Sequence, residues 1–212
     1  MSQKLKVVGV AGSLQAPSRT IALVDEIVAA LGRKLPIETH HIRLNELGPS
    51  LAGVLSRSAL PPEAEAELQQ IENADILVVA SPVYRASFTG LFKHLFDFVD
   101  QYALIDVPVL IAATGGSERH ALILEHQLRP LFGFFQALTL PVGVYAHDSD
   151  FTDYKISAPL LNERIDKAIV RGLPLIRSNV HERERIAKAL DEGITDEPEL
   201  VLESPQVVRL LS

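Results

Sequence analysis

Apolar positions along this chain follow two rhythms that alternate. The runs LKVVGVAG (5–12), DILVVASPVY (75–84) and VPVLIAATGG (107–116) are nearly continuously apolar and rich in β-branched residues, as buried strands are. Between the first two, IALVDEIVAALG (21–32) repeats Ile21, Val24, Ile27, Val28 and Leu31 at helical spacing and stops at Gly32. PIETHHIRL (36–44) alternates like a more exposed strand, and LTLPVGVYAH (138–147) reads as a fifth. Helical segments are predicted at 61–74, where prolines and glutamates suit a helix N-terminus, and near 88–101, 118–137 and 158–177. Such alternation predicts a doubly wound α/β domain with helices on both faces of a parallel sheet. Residues 179–212, including HERERIAKALDEG, read as a solvated charged helix and an extended tail, so the predicted domain spans residues 1–178.

Composition narrows the possibilities. A chain of 212 residues, 47% of them apolar, suffices for one substantial core. The net charge of −7, with no basic stripe, opposes binding to a phosphate backbone, so no nucleic acid partner is expected. The absence of cysteine excludes disulfides, thiolate nucleophiles and thiolate metal sites, and makes a reducing cytoplasm the expected location. Lys4 and Lys6 interrupt the opening run, so no export signal is expected. No run of about 18 apolar residues offers a membrane span.

Candidate chemistry gathers where strands give way to helices. GVAGSLQAPSRT (9–20) places Gly12, Ser13, Ser18, Arg19 and Thr20 at the first strand-to-helix turn, on the carboxyl edge of the sheet where open α/β folds bind ligands. Gly12 is expected to let backbone approach the ligand, while helix N–H groups, hydroxyls and Arg19 offer donors to an anion. A capped helix after an ordinary turn is the competing reading. Neither a G-x-G-x-x-G pattern nor a Walker A loop is present, so a lone terminal phosphate fits better than a dinucleotide pyrophosphate. SPVYRASFTG (81–90) and TGGSERH (114–120) follow the third and fourth strands with a proline-fixed turn, an amphipathic Tyr84 and paired glycines, a set suited to a flat aromatic cofactor.

AGSLQAPSRT, SPVYRASFTGLFKHLFDFV and ATGGSERHALILEHQLRPLF together resemble the flavodoxin-like NAD(P)H-dependent FMN reductases. The resemblance is strongest to the flavin reductase components of two-component alkanesulfonate and methanesulfonate monooxygenase systems, and covers about residues 5–175. It implies a three-layer sandwich with a five-stranded parallel sheet of order 2-1-3-4-5. It also implies that Ser13, Ser18, Arg19 and Thr20 hold the FMN phosphate. Pro82, Val83, Tyr84, Arg85 and Ser87 would border the flavin, with Thr114, Gly115, Gly116 and Ser117 along its other edge. Hydride from NADPH or NADH would reach flavin N5 with no side chain acting as acid or base, and reduced FMN would pass to a partner monooxygenase. An FMN-bound quinone or azo-compound reductase and a non-enzymatic flavodoxin-type carrier are the alternatives on the same fold.

Two further expectations concern assembly and exchange. All eight phenylalanines fall between residues 88 and 151, which suggests more apolar surface than one sheet face can cover and hence a helix-to-helix interface. Resemblance to a family of dimers and tetramers points the same way. Pro130 deprives the His126 carbonyl of its helical donor, so a kink or π-bulge is expected there. In the resembled reductases an inserted residue forms a π-helix at this place, which implies a role for His126 in oligomerisation and flavin transfer. No metal site is expected, because His40, His41, His120, Glu125 and His126 lack ligand spacing. HDSDFTDYK (147–155) lacks the glycine and terminal glutamate of a calcium loop and reads as a solvated loop.

Overall fold

The computed structural model describes residues 4–191. The chain opens with β1 (Leu5–Ala11), α1 (Arg19–Gly32), β2 (Ile37–Arg43), α2 (Leu44–Leu51), α3 (Pro62–Glu72), β3 (Ile76–Pro82) and α4 (Gly90–Phe98). It continues with β4 (Pro108–Gly115), a π-helix at Leu124–Leu128, α5 (Arg129–Phe134), β5 (Leu138–Thr139), β6 (Val144–His147), a β7–β8 hairpin (Phe151–Thr152, Lys155–Ile156) and α6 (Pro159–Asp191). The main sheet has the order β2-β1-β3-β4-β5, every neighbour parallel, and β6 continues the β5 position beside β4. This is the flavodoxin-like order that the resemblance implies.

The strands lie where they do because β3 and β4 are buried on both faces, and Ile76–Ala80 and Pro108–Ala113 are apolar throughout. One face packs on α1 and α6 through Val7, Leu23, Ile27, Val78, Leu110, Ile165 and Ile169. The opposite face packs on α2, α3, α4 and α5 through Val8, Leu47, Leu68, Val79, Phe92, Phe96, Ile111 and Phe132. Each such side chain contributes about 1.5–3 kcal/mol of burial.

Several local expectations change. The fifth strand is broken after Thr139, since Pro141 has no N–H to give a ladder, and resumes at Val144. Arg129 reaches into the break, donating to Thr139 Oγ1 at 2.8 Å and to the Leu140 carbonyl at 3.2 Å. The segment 118–137 is not one helix but a 3-10 turn, a π-helix and α5 in series. Most of the phenylalanines serve the core: Phe92, Phe96, Phe98, Phe132, Phe135 and Phe151 are buried, and Phe96 contacts Phe92 and Phe132 at ring-centroid distances of 4.9 and 5.1 Å, while the same stretch leaves Leu122 exposed. Phe134 alone among the eight is exposed.

The segments 158–177 and 179 onward form one helix, α6, so residue 178 lies inside a continuous element. Residues 181–189 keep a solvated, charged face with Arg185 paired to Glu182 at 2.8 Å, but the other face is docked: Ile186 is buried and Arg183 donates to Asp75 at 2.6 Å. The extended tail falls outside the described residues. Among those residues no helix is long and apolar enough to cross a membrane. The segment between α2 and α3 is held by Arg57, which binds Glu65 at 2.6 Å, Glu72 at 2.5 Å and the Phe98 carbonyl at 3.3 Å. These hydrogen bonds hold the Glu65 carboxyl below its usual range and push the Arg57 guanidinium above its own.

Candidate active site

Strand order reverses between β1 and β3, and the loops that leave β1, β3 and β4 meet at the carboxyl edge around that point. They line one open cleft of about 320 Å³. Ser13, Ser18, Arg19, Thr20, Pro82, Val83, Tyr84, Thr114, Gly115 and Gly116, all singled out from sequence, lie along it.

Buried hydrogen bonds fix the loops to one another. Thr20 Oγ1 and Thr114 Oγ1 are 2.7 Å apart, tying the first loop to the fourth-strand loop. The Val83 amide donates to the Thr114 carbonyl at 2.8 Å, tying the third-strand loop to the same residue. Thr89 Oγ1 donates to the Gly12 carbonyl at 2.9 Å while capping α4, and the Thr89 amide donates to Ser81 Oγ at 3.1 Å. Ser81, Thr89, Thr20 and Thr114 are all buried, so each hydroxyl needs its protein partner.

One expectation about an individual residue is corrected. Gly12 is a glycine for packing, not for ligand approach: a Cβ there would lie 2.8 Å from the Phe92 ring and 3.1 Å from the Ala80 carbonyl. Thr20 lines the cleft while almost wholly buried, its hydroxyl engaged by Thr114. Ser18 is the N-cap of α1, accepting from the Thr20 and Ile21 amides at 3.1 and 3.4 Å. The capped-helix reading therefore holds for this turn. Ser13 donates to the Gln15 carbonyl at 2.9 Å, folding the loop back on itself.

The third-strand loop closes in a two-residue turn. Tyr84 and Ser87 exchange backbone hydrogen bonds at 2.8 and 3.1 Å, and Arg85 and Ala86 between them take φ values of 50° and 68°. Such left-handed backbone in non-glycine residues is costly and is retained where surrounding contacts enforce it. Arg85, at the exposed tip, does not line the cleft. Nor does Ser87, whose hydroxyl donates to Gln127 Oε1 of the π-helix at 3.1 Å. Ser117 is likewise outside the lining, and its carbonyl accepts from the Tyr145 hydroxyl at 2.6 Å. Burial, aided by the Asp148 and Glu118 carboxylates, pushes that hydroxyl above its usual range and keeps it a donor. His147 Nε2 donates to the Gly116 carbonyl at 3.0 Å, completing the support of the glycine pair. A Cβ on Gly115 would run into the Tyr145 hydroxyl.

The π-helix expected near Pro130 is present at Leu124–Leu128, with the Arg129 amide donating to the Leu124 carbonyl five residues back. His126 is exposed at its middle, and Pro130 is the second residue of α5; both lie outside the cleft.

Four lining residues escaped sequence reasoning: Gln15, Pro17, Asp148 and Tyr154. The last two belong to the segment read as a solvated loop, which instead forms a 3-10 turn (Asp148–Asp150) and the β7–β8 hairpin. Asp150 there is buried, accepting from the His147 amide at 2.8 Å and from Arg164 at 2.7 Å. Asp148 lies 3.2 Å from Arg19 Nη1, and the Arg19 guanidinium stands 5.8 Å from the Tyr154 ring centre.

The cleft offers a guanidinium, hydroxyls and the start of a helix beside a tyrosine, a proline-fixed backbone and two glycines. That set matches a phosphate joined to a flat ring, so the residues present fit FMN. A flavodoxin-like α/β protein with a mononucleotide cleft is the class so defined. The family model for NADPH-dependent FMN reductase matches residues 5–152, and the chain belongs to that family. It is 56% identical over 187 residues to "NADH-dependent FMN reductase SfnF" of Pseudomonas fluorescens, covering 88% of this chain and 100% of that one. It is 54% identical over 175 residues to "FMN reductase (NADPH)" of Pseudomonas aeruginosa, covering 82% and 94% respectively. Among solved structures, an oxidoreductase from Corynebacterium diphtheriae superposes with a TM-score of 0.74 at 35% identity, covering 84% of this chain and 99% of that one. The protein is an NAD(P)H:FMN oxidoreductase, with FMN and a reduced nicotinamide dinucleotide as its ligands.

Proposed function

We propose that this reductase binds FMN as an exchanging substrate in the cleft and supplies its reduced form to a partner monooxygenase of sulfonate metabolism in the cytoplasm. The observation that carries the binding mode is the convergence of Ser18, Tyr84 and Gly115 on one cleft whose three loops are cross-tied by buried hydrogen bonds. The sulfonate context rests on the motif resemblance alone.

When bound, the flavin accepts hydride from a reduced nicotinamide. The chain's own residues orient and stabilise. Arg19, Ser13 and Ser18 hold the phosphate at the α1 end, and Thr20 supports them through Thr114. The Pro82–Tyr84 backbone and the Thr114–Gly116 backbone flank the ring and exclude water from its edges, with Ser87 and Ser117 bracing these walls and Arg85 at the exposed tip of the turn. Pre-set backbone dipoles of this kind require no reorganisation during reaction. His126 and the π-helix lie behind the Tyr84–Ser87 turn, coupled to it through Gln127 and Ser87, and serve flavin exchange in a homodimer or homotetramer.

Steady-state oxidation of NADH and NADPH with and without added FMN tests this reading. Saturable stimulation by free FMN, and loss of flavin on gel filtration, are expected. Turnover independent of added FMN with retained flavin would instead favour a quinone or azo-compound reductase. Deletion of His126 is expected to alter oligomeric state or flavin retention, and a variant unchanged in both and in turnover removes its assigned role.

A further inference from the structure

Among the described residues lining the cleft, Arg19 is the one cation and Asp148 the one carboxylate, and they are paired at 3.2 Å. Arg19 and Asp148 side chains are 41% and 44% exposed, so a ligand in the cleft can reach the pair. Asp148 does not owe its position to Arg19 alone. It starts a 3-10 turn closed by the His147 side chain, which accepts from the Ser149 amide at 3.1 Å, and by Asp150, which is locked by Arg164. On its other side the carboxylate lies over the glycine pair: a Cβ on Gly116 would sit 3.3 Å from Asp148 Oδ2. The side chain therefore spans the mouth from the fourth-strand loop to the first. The Tyr154 ring, on a hairpin tip where Asp153 and Tyr154 both take left-handed backbone (φ 48° and 61°), stands against the same guanidinium.

We propose that Asp148 is a built-in anion that competes with the flavin phosphate for Arg19, and so sets both the discrimination between FMN and riboflavin and the ease with which FMN leaves. The proposal rests on the reading that the phosphate lies at the Arg19 end of the cleft. A phosphate monoester carries about −1.5 to −2 charges at pH 7 and favours two-point contact with a guanidinium. To take Arg19 it must break the pair with Asp148 or lie beside a like charge, and either cost applies to FMN and not to riboflavin. An arginine tethered this way holds a phosphorylated ligand less tightly than a free one, which suits a flavin that must depart after each cycle.

The test compares dissociation constants for FMN and riboflavin, read by quenching of flavin fluorescence, in the wild type, Asp148→Asn, Arg19→Ala and the double variant, with melting temperature as a folding check. Asp148→Asn is expected to tighten FMN by about three- to tenfold and to slow its release, with riboflavin changed by less than about twofold. Asp148→Glu, which keeps the charge, is expected to stay near the wild type. In the Arg19→Ala background, removal of the carboxylate is expected to change FMN affinity by less than about twofold, because the group competed for is gone. An Asp148→Asn protein with unchanged or weaker FMN binding, an equal change for riboflavin, or an undiminished gain without Arg19 overturns the proposal. If Arg19→Ala lowers the preference for FMN while Asp148→Asn does nothing, only the competition fails. If Arg19→Ala leaves that preference unchanged, the phosphate placement itself is wrong.

Discussion

The inner wall of the cleft and its outer rim are built from different chemistry. The wall is held by neutral groups: Thr20 with Thr114, Thr89 with Gly12, and Val83 with Thr114, all short and mostly buried. At the rim, Arg19, Asp148, Tyr84 and Tyr154 carry charge and aromatic surface into solvent. Buried hydroxyls define a shape and are expensive to leave unpaired. Exposed ion pairs contribute little to stability and instead change what the cleft attracts. Fold stability and ligand preference thus reside in separate residues only a few ångströms apart.

Substitution can sharpen or break that division. The largest loss is expected for Gly12→Ala, whose new methyl meets the buried Phe92 ring and the β3 backbone. Denaturant titration should show a decrease of about 1–3 kcal/mol, and a protein within about 0.5 kcal/mol of the wild type would show that the wall is not close-packed. Thr114→Val leaves the Thr20 hydroxyl without its partner and is expected to cost about 2 kcal/mol, partly recovered when Thr20 also becomes valine. Away from the cleft, the Arg57–Glu65 pair adds a dependence on acid that the neutral wall lacks. Glu65 is depressed from its ordinary value of 4.5, so its contribution is full above that pH and is lost as pH falls through the lower folded value. Unfolding midpoints measured from pH 7 down to 3 should decline less steeply for Glu65→Gln. The smallest effect is expected at the rim: Ser87→Ala, which cuts the tie to Gln127, should stay within about 0.5 kcal/mol in stability while altering the rate of flavin release in stopped flow.

The sheet and its three loops are legible in the sequence, the wall-and-rim division is not, and the reason lies in how local each signal is. β3 and β4 declare themselves because burial on both faces makes them apolar up to their carboxyl ends, where Ser81 and Thr114 begin the loops. The three loops declare themselves because glycine, proline and hydroxyl residues interrupt those runs at one end. α2 was missed although Leu44, Leu47 and Leu51 recur at helical spacing, because Gly48 and Pro49 disguise it. Asp148 and Tyr154 were missed for a different reason. An acidic, hydroxyl-rich segment looks solvated, and its meaning comes from Arg19 and Arg164, which the fold brings to it from distant parts of the chain. The role of Gly12 was misassigned for the same cause, since Phe92 cannot be seen from the first loop.

Long as it is, α6 behaves as a strut bolted at two places. Near its start Arg164 grips the Tyr145 carbonyl and Asp150, at the root of the hairpin that overhangs the cleft. Nineteen residues later, about 28 Å along a helix rising about 1.5 Å per residue, Arg183 is fastened to Asp75 just before β3. A rod pinned at both ends resists sliding along its axis, so the hairpin root inherits stiffness from the opposite margin of the sheet, and a chain shortened before Arg183 would surrender that distant bolt.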